Sequence, residues 1–130
     1  MNRIKILRIY LVILGLFVLI WSVLSHWFFS DFYHQVYGFE PGSYNDTFVK
    51  IIGALAIFPA LGLFFSARDP IKNRDLIATL IISSTLLAIS YIYLINYQDF
   101  PILEYINAIS FLILNGIMIL LYPWKNQNHQ

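Results

Sequence analysis

Four stretches of the chain run without a charged side chain: 9–29, 51–67, 76–98 and 105–124. None alternates apolar with polar residues, so none reads as a strand of a membrane barrel. Each has about the length of helix that crosses a hydrocarbon core, roughly 17–25 residues. In lipid a single segment satisfies its backbone groups only as a helix. The pattern therefore predicts an all-α fold, a four-helix transmembrane bundle. The predicted spans are about 9–29, 48–67, 75–97 and 103–123, with an interfacial loop over 30–47. The short connections near 68–75 and 98–101 make successive spans neighbours and predict up-down-up-down order.

The charges between the runs give this pattern a direction. Seven of the eight Lys and Arg residues fall on one set of connections: Arg3, Lys5, Arg8, Arg68, Lys72, Arg74 and Lys125. The other set carries Asp31, Glu40, Asp46, Asp99 and Glu104 and no Lys or Arg. The positive-inside rule places both termini in the cytoplasm and two loops outside. Aromatic residues gather at both boundaries, with Trp27, Phe28, Tyr93, Tyr97 and Phe100 outside and Tyr10, Phe65, Tyr122 and Trp124 inside.

Composition agrees. Hydrophobic residues make up 59% of the 130 and charged residues 12%, with mean hydropathy +0.70. A soluble domain carries about 25% charged residues, and this chain lacks the polar groups to cover a wet surface. The basic residues flank spans and form no continuous patch, which excludes a nucleic-acid surface. With no cysteine there is no disulfide, thiol chemistry or Cys-based metal site. Val23-Leu24-Ser25 resembles a signal-peptide cleavage site. The apolar stretch 9–29 exceeds the ~7–15 residues of a signal core, and Trp21 and Trp27 bracket the site, so a retained span is expected.

Local signals refine the elements. Ser30 or Asp31 is expected to cap a short helix that Gly38 ends, with Phe29, Tyr33 and Tyr37, and Phe32 and Val36, forming its apolar face and His34 facing solvent. Glu40-Pro41-Gly42-Ser43 reads as a turn, and Asn45 or Asp46 as a cap of the second span. Pro59 predicts a bend in the second span. Asp69-Pro70 reads as a helix start.

Polar residues fall in stripes at helical spacing. Gly15, Ser22 and His26 align, as do Lys50, Gly53, Ala56, Ala60 and Ala67. Thr79, Ser83 and Ser90 align on the third span, and Glu104, Asn107 and Asn115 on the fourth. Small and weakly polar residues are the usual contact faces between membrane helices. If all four stripes face inward, His26, Lys50, Ser90, Glu104 and Asn107 converge on an outer-half pocket floored near Ser83 and Asn115. Lys50 has two available partners, Asp46 one turn earlier or Glu104 across the bundle.

Short motifs carry a family resemblance. Ile52-Gly53-Ala54, Ala67-Arg68-Asp69-Pro70 with Asn73, Ile106-Asn107-Ala108 and Tyr122-Pro123 resemble small bacterial four-span membrane proteins of the BphX-like or a related type, a family of unknown function. The resemblance implies four helices in the bacterial cytoplasmic membrane and supplies no catalytic residues.

No catalytic constellation, phosphate loop, metal cluster or cofactor motif stands out. The expectation is a non-enzymatic accessory or interaction subunit that sits among membrane lipids beside a protein partner or another copy of itself. The alternative is a binder or transporter of a small amphipathic ligand, a lipid or quinone, held by His26, Lys50, Ser90, Glu104, Asn107 and Asn115.

Overall fold

A computed structural model describes residues 2–38 and 43–124, and the expected turn at Glu40–Ser43 falls largely outside them. Among the described residues the fold is all-helical, 86% helix. Four helical stretches are long and apolar enough to cross a membrane: Arg3–Phe28, Asp46–Arg68, Arg74–Tyr97 and Ile102–Leu121.

The first span is built in three pieces: α1 (Arg3–Phe17), a π-helical segment (Val18–Leu24) and α2 (Ser25–Phe28). Asn2 caps it, its side-chain oxygen accepting from the Ile4 N–H at 3.1 Å. The wider π turns end where the Ser25 N–H bonds back five residues to the Ile20 carbonyl. Segments of this kind often mark functional sites, because they re-aim the residues beyond them.

A short helix follows, α3 (Ser30–Tyr37), ended by Gly38. Gly38 adopts φ 75°, which glycine tolerates without a Cβ clash, and its N–H bonds to the His34 carbonyl. Phe29, and neither Ser30 nor Asp31, occupies the cap position. Among the described side chains of α3, His34 and Tyr37 are buried, whereas Phe32 and Val36 point outward. The face assignment is thereby corrected. At a membrane boundary, Phe and Val gain by facing lipid, which leaves the inner face to side chains that can hydrogen-bond.

The second span comprises α4 (Ser43–Leu55) and α5 (Ile57–Arg68). Ser43 already lies in the helix, so Asn45 and Asp46 are first-turn residues and not caps. The break at Ala56 follows from Pro59, which has no N–H to offer the Leu55 carbonyl. The third span is a single helix, α6 (Arg74–Tyr97), and the fourth is a 3₁₀ turn (Ile102–Glu104) leading into α7 (Tyr105–Leu121). Asp69-Pro70 does not start a helix. Asp69 caps a turn instead, its carboxylate accepting the Lys72 N–H at 3.1 Å, while Asn73 ties that turn to the Phe65 and Asp69 carbonyls.

Packing is uneven. α1 packs most closely on α5, and α6 on α7, with α5 and α6 joining the two pairs. At the end that carries the basic residues, the core gathers Leu7, Leu11 and Leu14 with Leu63, Ala67, Ile77 and Met118. At the other end the core is smaller, formed by Tyr37, Val49 and Trp21. Most other large apolar side chains point away from the protein, among them Phe58, Ile82, Leu86 and Leu120. In water such a surface would drive aggregation, and in lipid it is the ordinary exterior.

Candidate functional site

Among the described residues two polar networks stand out. The first lies at the acidic end of the bundle and begins with His26, which α2 buries against the second span. A Cβ placed on Gly53 would stand 2.8 Å from the His26 Cβ, so the missing side chain is what lets the helices approach. The His26 Nδ1 sits 3.2 Å from both the Ser25 hydroxyl and the Trp21 carbonyl. That carbonyl also accepts from the Ser25 hydroxyl.

Trp21 carries the network onward, its indole N–H bonding the Tyr37 phenol. Tyr37 donates to the Asn107 Oδ1 at 3.0 Å, and the Asn107 amide donates to Glu104 at 2.5 Å. Glu104 is completely buried. One polar path therefore joins the first span, α3 and the fourth span. Burial pushes the Tyr37 phenol above its usual value, and the Glu104 charge pushes it the same way.

Lys50 stands outside this path. It pairs with Asp46 at 2.9 Å, both side chains being more than a third exposed, and it does not reach Glu104. The shorter reach decides it, since the residues are four apart on one helix. Asp46 also bonds Ser30 and so ties α3 to α4. His34, expected at the solvent side, is only 4% exposed.

The second network lies between the third and fourth spans. Asn115 is 4% exposed. Its oxygen accepts from Ser84 at 2.8 Å, and its amide donates to Thr85 at 3.0 Å. The expected stripe of the third span is thus misplaced by about one residue. Ser84, Thr85 and Ala88 face inward, while Ser83 and Ser90 are exposed, Ser90 bonding only the Leu86 carbonyl of its own helix. A serine hydroxyl can turn back onto its own helix and face lipid at little cost, so spacing alone misdirects here. The predicted pocket does not assemble as drawn. Glu104 and Asn107 close on Tyr37, Lys50 and Ser90 lie outside, and Asn115 belongs to the separate network.

A cavity of about 370 Å³ opens instead along the seam between the first and fourth spans. Tyr10, Ile13 and Phe17 line one wall and Ser110, Ile113 and Leu114 the other. The Tyr10 hydroxyl donates to the Leu114 carbonyl at 2.7 Å and holds the seam together there. Nothing in the sequence stripes pointed to this seam, because its walls are ordinary lipid-compatible side chains. Among the described residues no group of His, Asp and Glu is placed to hold a metal ion.

Four apolar helices with lipid-compatible exteriors and polar groups turned into interhelical networks define the class: a multi-pass, helical membrane protein. Compared with protein-family models, curated proteins and solved structures, the chain has no match.

Proposed function

We propose that the protein is a small accessory or interaction subunit of a bacterial cytoplasmic membrane, threaded up-down-up-down with both termini in the cytoplasm. The observation that carries this reading is how the polar side chains are used. Tyr37, Asn107 and Glu104 bond in series, and Asn115 bonds Ser84 and Thr85. Such groups hold helices together and leave the outer surface to lipid and to partners. The four-span resemblance and the basic flanks point to the same membrane and the same orientation. In-cell crosslinking from the exposed face of the third span, at Ile82 and Leu86, tests it. Crosslinks to one defined membrane protein, or to a second copy, are expected. Crosslinks to lipid alone would contradict a subunit role.

The binding of a small amphipathic ligand is a second reading, and the cavity between the first and fourth spans favours it. A volume of about 370 Å³ falls within the ~300–1,000 Å³ of small-molecule sites. The ligand position is then the seam between these spans and not the outer-half cluster.

A further inference from the structure

We infer that the seam between the first and fourth spans holds one anionic phospholipid, its phosphate at Arg3 and one acyl chain in the apolar cavity. The inference rests on the chain being embedded in a bilayer and goes beyond the subunit reading. Arg3 marks the mouth of the seam. Its guanidinium donates to the Leu120 carbonyl, which places a cation of the first span directly on the fourth. A guanidinium has five N–H donors, so that one bond leaves a fork of donors for phosphate oxygens. Among the described residues Arg3 makes no ion pair.

Depth fits the same occupant. Ile13 lies about 15 Å up the helix from Arg3, half of the ~30 Å hydrocarbon core. A phosphate at Arg3 thus sets its acyl chain alongside Ile13 and Phe17, where the cavity lies. The walls there are apolar and half-exposed, with Ile13 60% and Ile113 59% accessible, so a chain can enter sideways from the membrane. Tyr10 does not compete for the headgroup, because its hydroxyl is already bonded to Leu114. Charge at the mouth and hydrocarbon at depth together select an anionic lipid over a soluble ligand.

The test uses the whole chain in nanodiscs containing phosphatidylglycerol or phosphatidylcholine with a carbene-generating group in one acyl tail. After illumination, labelling is mapped at Ile13 and Ile113 and compared with Ile82 and Leu86, which face lipid on the third span. The expected result is several-fold enrichment at Ile13 and Ile113 with phosphatidylglycerol. Arg3→Gln should lower the phosphatidylglycerol preference about fivefold, and Arg3→Lys should keep most of it. Equal labelling of the seam and the third span would overturn the site while leaving the membrane placement intact. An unchanged preference in Arg3→Gln would also overturn it. Absence of label at all four positions would sink the membrane placement and the site together.

Discussion

At the scale of single residues, Tyr37, Asn107 and Asn115 each bond a named partner, and these partnerships have measurable consequences. Asn115 bridges Ser84 and Thr85 near the centre of the two spans. Replacing it with Leu keeps the branched shape but leaves both hydroxyls to turn back on their own helix. A loss of about 1 kcal/mol is expected, read as a lower unfolding midpoint in detergent, since interhelical hydrogen bonds in membranes are worth about that much. No loss would show that the bridge is not stabilising. Tyr37 gives a pH prediction. Its folded value is raised, so the neutral phenol stabilises the protein below the ordinary value of about 10, and that contribution fades as pH climbs through the raised value. The wild type should therefore lose stability more steeply than Tyr37→Phe as pH rises past about 10. Parallel curves would contradict the assignment. His26, Glu104, Asn107 and Asn115 were legible in the sequence as inward polar residues, because a charged or amide group in an apolar run has few other places to go. Trp21, Tyr37, Ser84 and Thr85 were not. Aromatic and hydroxyl side chains are equally at home facing lipid, the boundary or a neighbouring helix, so their type does not reveal their face.

At the scale of elements, close approach and interruption shape the bundle. Gly53 admits His26 and Trp27 of the first span, and a Cβ there would meet the His26 Cβ at 2.8 Å. Gly53→Leu should force the first two spans apart and cost about 1–3 kcal/mol, as overpacking of a tight contact does. Its signature would be a fall in stability together with loss of the Tyr37–Asn107 contact, read by crosslinking between α3 and α7. Gly116 is the contrast, since a Cβ there meets nothing within 4 Å, and Gly116→Ala should be tolerated. In the turn after α6, Asp99 takes φ 53°. A β-branched residue strains there, so Asp99→Val should cost about 1–2 kcal/mol while Asp99→Gly should not. The four spans were readable because charge-free runs of that length leave little choice. The bend before Pro59 was readable for a similar reason, as proline removes a particular hydrogen bond. The π-helical segment Val18–Leu24 had no such marker. Neither proline nor a glycine pair forces it.

At the scale of the whole molecule, two well-packed helix pairs are joined along one side and meet lightly along the other, which leaves the seam between the first and fourth spans. Their mutual packing depends on which small residues happen to face each other, and a single span's stripe does not record that. This is why the seam was invisible in the sequence while the membrane class was plain. Everything functional, from the subunit reading to the lipid at Arg3, depends on how the chain lies across the bilayer. The absence of cysteine makes that placement directly measurable. Single cysteines at the exposed positions Gln35 and Lys72 can be challenged in intact cells with a membrane-impermeant thiol reagent, then again after permeabilisation. The account predicts that Gln35→Cys reacts in intact cells and Lys72→Cys only after permeabilisation. The reverse pattern, or equal reaction of both in intact cells, would contradict it.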